Sequence, residues 1–195
     1  MSDLDRVVAA LRAGRVVLLP TDTVYGLAVM ATDGAALAAL FALKQRPVDA
    51  SVAVLVADSA QAARHVDLGA AGRALAERFW PGALTIVANR IDDGVVAAGT
   101  DSTLGVRCPD DAFVRSVAAL VGPVAASSAN LHGEPTPELC ADAARIFDTV
   151  EIAVDGGPRK GSASTVVSIV DGAPVLLREG PVSAADITAA VNAGT

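Results

Sequence analysis

Apolar residues in this chain fall in short blocks with two rhythms. Leu4, Val7, Val8 and Leu11 recur at the spacing of one helix face, which predicts a helix over Ser2–Ala13, opened by a Ser2/Asp5 capping box and stopped at Gly14. The same rhythm predicts helices over Asp33–Lys44, Ala60–Val66 and Ala70–Phe79, from Asp110 or Asp111 to Val121, through Ile146, and over Ala184–Val191. Pro47 closes the second of these and Trp80-Pro81-Gly82 breaks the fourth. Between them lie short apolar or alternating runs that predict strands: Val16–Leu19, Leu27–Met30, Val52–Val56, Leu84–Ala88, Thr103–Arg107, Pro123–Ala126, Ile152–Val154, Thr165–Val170 and Val175–Leu177. Asp171-Gly172 between the last pair is a hairpin signal. Ile91–Ser102 and the Gly-rich Asp155–Ser162 read as loops. Strands that alternate with helices, with one hairpin among them, predict an α/β fold on a mixed parallel and antiparallel sheet.

One stretch stands out from this pattern. Val16–Leu19 is an apolar run ended by Pro20, which has no N–H for a sheet ladder. Thr21, Asp22, Thr23 and Tyr25 follow, and Leu27–Met30 takes the chain back to the core. Two core segments thus hold a short turn dense in hydroxyls and a carboxylate. The residues allow two readings: an Asx-type turn that bonds its own backbone, or a ligand site.

Composition narrows the class. With 195 residues, 52% of them hydrophobic, the chain can build a sizeable core and is read as a single domain over 1–195. No apolar run approaches the roughly 20 residues of a membrane span, and the start M-S-D-L-D-R lacks a signal peptide's pattern, so a cytoplasmic protein without membrane contact is expected. The net charge of −7 argues against a broad nucleic-acid-binding face and makes any cluster of Lys and Arg informative. Cys108 and Cys140 have no metal-ligand spacing and are too few for a disulfide scaffold; they read as core residues. His65 and His132 are the only histidines, so a His-built metal site is not expected, and His65 reads as the end of a helix with no further role. Walker A, G-x-G-x-x-G and G-x-S-x-G sequences are all absent.

Polar groups gather just beyond the predicted strands and helices. Lys44 and Arg46 can clamp phosphate, or can simply complement the negative end of a helix. Thr103 and Arg107 lie an even number of positions apart on one strand and share a face. Ser127-Ser128-Ala129-Asn130 can bind sugar or phosphate oxygens without adding charge, or form a turn. Ser162–Thr165 and Leu177-Arg178 bracket the hairpin, and Arg159 and Lys160 sit in a loop that could meet an anion.

The order of these elements carries a resemblance. P-T-D-T-V-Y-G-L, K-x-R-P, W-P-G-x-L-T, G-V-R-C-P, S-x-N, S-T-V-V and L-L-R-E-G follow one another between Arg15 and Gly180, and together they resemble the YrdC-type threonylcarbamoyl-AMP synthase family. The resemblance implies an open, twisted α/β sheet of mixed strand direction, with packed helices and a large concave cavity. It implies synthesis of L-threonylcarbamoyladenylate from L-threonine, bicarbonate and ATP with release of pyrophosphate. That product feeds threonylcarbamoyladenosine modification of tRNA next to the anticodon. ATP would meet Lys44, Arg46, Thr103, Ser128, Asn130, Thr136 and Arg178, with Lys44 and Arg46 as the catalytic cations. L-threonine would meet Thr23, Arg107, Ala126 and Ser164. Mg²⁺ would enter mainly on ATP, and tRNA and a downstream threonylcarbamoyl transferase complex are the implied partners. The sequence departs from the family pattern at Ser51-Val52, His132, the W-P-G-A motif and Ser168, none of which is a proposed ligand. Two other readings are a non-catalytic RNA-binding module and a carbamoyl-transfer domain that uses carbamoyl phosphate. The acidic balance opposes the first, and the two isolated cysteines oppose the second.

Overall fold

The computed structural model describes residues 1–45, 52–92, 94–96, 102–131 and 133–193. Its elements are α1 (Asp3–Arg12), β1 (Val17–Leu19), β2 (Gly26–Met30), α2 (Gly34–Leu43), β3 (Ala53–Leu55), α3 (Ser59–Ala62), β4 (Val66–Asp67), α4 (Gly69–Phe79), β5 (Leu84–Arg90), β6 (Thr103–Arg107), α5 (Ala112–Val121), β7 (Val124–Ser128), α6 (Cys140–Ile146), β8 (Ile152–Ala153), β9 (Thr165–Ser168), β10 (Val175–Arg178) and α7 (Ala184–Ala193). The predicted caps form: the Ser2 hydroxyl accepts from Asp5 N while the Asp5 carboxylate accepts from Ser2 N. Asp33 caps α2 and Asp111 caps α5 through Ala36 N and Val114 N. Among the described residues no helix is long and apolar enough to cross a membrane.

All the strands join one sheet in the order β10-β9-β5-β6-β3-β7-β2-β1-β8, with β4 added beside β5. β1 with β8, β3 with β6 and β5 with β9 run parallel, and the other pairs run antiparallel, so the mixed sheet predicted above is present.

Several boundaries differ from the sequence reading by a residue or more, and three of the differences have a clear cause. The predicted Ala60–Val66 helix stops at Ala62, and Val66 enters β4 opposite Arg90. A segment this short cannot hold helix against a sheet that buries Val66 to 1% exposure. Pairing with β4 also carries β5 on to Arg90. The predicted Pro123–Ala126 strand runs on to Ser128, because β2 pairs with it as far as Gly26 opposite Ser128.

Strand alternation sorts side chains onto two faces. One face carries Leu18, Leu27, Val29, Val54, Ile86, Leu104, Val106 and Val167 into the larger core, under α2, α4, α6 and α7. The other face carries Val17, Leu19, Ala28, Leu55 and Val124 against Val7 and Leu11 of α1 and Val114 and Val117 of α5. Those two helices cover only the part of this face built from β1, β2, β3 and β7. Farther along the same face, β5, β6 and β9 present Thr85, Val87, Thr103, Gly105 and Val166 to a cavity instead.

Candidate functional site

The cavity measures about 330 Å³ and opens on the face that α1 and α5 leave bare. Its wall holds Thr23, Thr103, Arg107, Ala126, Ser128, Ser164 and Arg178, which the sequence had placed together on unrelated segments. Strand geometry explains the gathering. Gly26, Ala53, Ala126 and Gly105 are small residues on the cavity side of four neighbouring strands, so the floor is hollow where larger residues would fill it.

At one end Arg107 is buried to 5% exposure and is held on three sides. Its Nε donates to Gly82 O at 3.0 Å, and its terminal nitrogens donate to Thr23 Oγ1 at 3.0 Å and to Asp22 Oδ1 at 2.5 Å. The Asp22–Arg107 pair is itself shielded, with side chains 13% and 6% exposed. Such a pair fixes the plane of the guanidinium, which can then present its remaining N–H groups to a carboxylate. Asp22 was not among the predicted site residues, although it lies between Thr21 and Thr23 in the motif.

At the other end lies Ser128; Asn130, Thr136 and Lys44 are not in the cavity lining but are bonded to Ser128 or to one another beside it. Ser128 Oγ donates to Asn130 Oδ1 at 2.5 Å, and Thr136 Oγ1 reaches the same oxygen at 3.4 Å. The Asn130 Nδ2 group donates to Leu131 O and Glu134 O, so this amide organises the corner around it. Lys44, the C-cap of α2 and 3% exposed, sends its Nζ to Ser128 O and, at 3.5 Å, to Asn130 Oδ1. Lys44 is thus more than a helix-end cation. Arg46 and Ser51 lie outside the described residues, as does His132.

A third group spans the far wall. Arg178 Nε and Nη2 both donate to Ser164 O, at 3.0 and 2.7 Å, and Nη2 also reaches Ser164 Oγ at 3.2 Å. A register shift between Leu176 and Arg178 brings Arg178 opposite Val166. The Ser164 hydroxyl lies 2.8 Å from Thr85 Oγ1, and both residues are 4% exposed. Thr85 ends the W-P-G-A-L-T motif, and the sequence reading had given it no role.

Other singled-out residues serve the frame. Tyr25 is fully buried; its hydroxyl contacts Gly157 O at 2.8 Å and Asp155 Oδ1 at 3.2 Å, and it accepts from Gly156 N at 3.0 Å. Burial raises its phenol pKa above the ordinary value. It therefore ties the Gly-rich Asp155–Ser162 segment down rather than lining the cavity. Gly161 lets that segment touch the Thr23 turn: a Cβ there would come within 2.6 Å of Thr23 O. Arg159 donates to Gly156 O at 2.6 Å and reaches Asp111 Oδ2 at 3.5 Å, so it staples this segment to the start of α5 instead of waiting for an anion. His65 does not end a helix, because α3 stops at Ala62. Its Nδ1 lies 2.5 Å from Asp92 Oδ2. Burial opposes ionisation of Asp92, but the hydrogen bonds from His65 and from Gly94 N hold its carboxyl below the ordinary value. Burial pushes the Cys108 thiol up to about 11 and raises Cys140 as well, as suits core thiols.

Residues 9–180 match the family model Sua5_yciO_yrdC, described as "Telomere recombination". The chain belongs to this Sua5/YciO/YrdC family. It is 39% identical over 185 residues to a putative threonylcarbamoyl-AMP synthase of Mycobacterium leprae, covering 92% of this chain and 84% of that protein. It is 39% identical over 193 residues to the threonylcarbamoyl-AMP synthase of Bacillus subtilis, covering 94% of this chain but only 55% of that longer protein. Pyrococcus abyssi Sua5 complexed with L-threonine superposes with a TM-score of 0.90 at 31% identity, over 97% of this chain and 58% of that one. The open mixed sheet expected from the resemblance is therefore the Sua5 fold, and the cavity sits within the region this chain shares with the family.

Proposed function

We propose that this chain is an L-threonylcarbamoyladenylate synthase, joining L-threonine, bicarbonate and ATP and releasing pyrophosphate. The carrying observation is that one cavity has Arg107 with Thr23 at one end and Ser128 beside Lys44 at the other. That layout suits a small amino acid and a nucleotide held side by side. The relatives named above act as independent support. In this reading the amino group of threonine attacks the bicarbonate carbon and water leaves, giving a carbamate. A carbamate oxygen then attacks the α-phosphorus of ATP and pyrophosphate departs.

The chain's own residues supply position and charge. Arg107 takes the threonine carboxylate, with Thr23, Ala126 and Ser164 around the amino acid. Lys44 and Arg46 offset the charge that builds on the leaving phosphates, and Thr103, Ser128, Asn130, Thr136 and Arg178 shape the nucleotide seat. Bringing three small reactants into one void converts an improbable encounter into an oriented one. Among the described residues no group of three His, Cys, Asp or Glu side chains is gathered to hold a metal. Mg²⁺ would arrive bound to ATP oxygens, where it would offset phosphate charge. We take residues 1–195 to work as one YrdC-like domain in the cytoplasm, handing the product on to a transferase complex that modifies tRNA.

The test is pyrophosphate release from ATP, with threonine and bicarbonate left out in turn. Release that requires both supports the synthase. Release indifferent to threonine refutes it, and salt-dependent tRNA binding without ATP turnover would favour an RNA-binding module.

A further inference from the structure

Two glycines of the 155–162 segment are dictated by a close neighbour. Neither Gly156 nor Gly161 has a positive φ, whereas Gly157 does, at 80°, with open space where its side chain would be. A Cβ at Gly156 would lie 2.7 Å from Pro20 Cβ. A Cβ at Gly161 would lie 2.6 Å from Thr23 O, 3.2 Å from Thr23 Cα and 3.3 Å from Thr23 C. Those last three are main-chain atoms, which cannot swing aside as a side-chain tip can. The segment thus lies along the 20–23 turn and touches it at both ends. It is pinned on either side of Gly161. Arg159 N donates to Glu138 O at 2.8 Å, and Arg159 Nη1 and Nη2 hold Gly156 O and Asp111 Oδ2. Past Gly161, Thr165 N donates to Ala83 O at 3.0 Å as β9 begins.

Resting on the synthase reading, we propose that Gly161 is a positioning residue for the amino acid, acting through Thr23, and that Arg159 steadies the brace on which it sits. A brace fixed at both ends has no room to retreat, so added volume at residue 161 must be taken up by the turn. The turn is held largely by its own bonds: Thr21 Oγ1 accepts from Thr23 N and from Val24 N, each at 3.2 Å. It can therefore shift as a unit. Arg107 is anchored separately, on a strand with neighbours on both sides and with its Nε on Gly82 O at 3.0 Å. A shift of the turn opens the 3.0 Å contact between Arg107 Nη1 and Thr23 Oγ1, and so changes the spacing of two groups that line one cavity. Gly161 is itself exposed and does not line that cavity. The missing side chain there sets the width of the amino acid end from outside, and the nucleotide end on β6 and β7 is left alone.

Steady-state pyrophosphate release by the full chain, with threonine and ATP varied in turn, tests this, because a half-saturation value does not depend on how much of a variant is folded. Gly161→Ala should raise threonine half-saturation on the order of tenfold and leave ATP half-saturation unchanged. Arg159→Ala adds no bulk and should raise threonine half-saturation about threefold, with Arg159→Lys between it and the wild type. The two changes should not compound: with the brace released, Gly161→Ala/Arg159→Ala should return to about the threefold of Arg159→Ala alone. A merely structural role for the two residues predicts losses that multiply, or that fall on both substrates. Gly161→Ala with unchanged threonine half-saturation, an equal rise for both substrates, or a double variant worse than Gly161→Ala overturns the proposal. If Gly161→Ala yields no folded protein, the Arg159 variants decide alone, and Arg159→Ala with wild-type threonine half-saturation overturns it. A wild-type chain whose pyrophosphate release ignores threonine overturns the synthase reading and this proposal together, whereas unaffected variants of a threonine-dependent wild type overturn the proposal alone.

Discussion

One face of the sheet has two halves with opposite fates. Where β1, β2, β3 and β7 carry Val17, Leu19, Ala28, Leu55 and Val124, α1 and α5 close over it and water is excluded. Where β5, β6 and β9 carry Thr85, Val87, Thr103, Gly105 and Val166, and where β2, β3 and β7 end in Gly26, Ala53 and Ser128, the same face lines a hollow. The backbone alternation is the same in both halves, and the opposite face of both is mostly apolar, with Ser127 and Thr165 as buried polar exceptions. The difference lies in the side chains alone. Bulky aliphatics recruit a helix, because their burial is favourable by about 1.5–3 kcal/mol each. Small and hydroxyl-bearing residues leave no such drive, and the space stays available to a ligand. Leu55 and Ala126 sit on the boundary and belong to both halves.

That contrast can be broken from either side. The largest effect should come from the open half: Arg107→Ala removes the proposed carboxylate seat and strands Asp22 without its partner, which for a shielded pair costs about 3–5 kcal/mol. Threonine-dependent pyrophosphate release should fall at least a hundredfold, with ATP half-saturation little changed. Lys44→Ala should show the reverse, raising ATP half-saturation while threonine half-saturation holds. Steady-state kinetics with each substrate varied would expose equal losses in both variants, which would sink the division of the cavity into two ends. In the closed half, Leu11→Ala should lower unfolding free energy by about 2–5 kcal/mol in a urea titration and leave turnover per folded molecule intact. The smallest effect belongs to Tyr25, which ties down the Asp155–Ser162 segment. Tyr25→Phe should cost about 1 kcal/mol of stability, read as a modest drop in melting temperature.

Much of this was legible in the sequence, for physical reasons that differ by element. Caps and periodicity located α1, α2 and α5 because Ser2, Asp33 and Asp111 act within one turn of their helices. Thr103 and Arg107 were placed on one face by strand period, and they line one cavity. What failed was tertiary. Val66 left its predicted helix because Arg90, far along the chain, offered a pairing edge. The role of Asp22 required knowing that Arg107 would arrive from another strand, and the role of Thr85 required Ser164 beside it. Tyr25 looked like part of the site because it sits in the motif, yet its hydroxyl turns to Asp155 and Gly157.

Arg178 rides on β10, which among the described residues pairs with β9 and with nothing on its outer side. Thr103, Arg107 and Ser128, by contrast, ride on strands flanked by neighbours on both sides. One wall of the cavity thus rests on the margin of the sheet, while the rest is built into its interior. In the proposed reading, displacing this one ribbon would open the cavity while leaving the strands that carry Thr103, Arg107 and Ser128 in place.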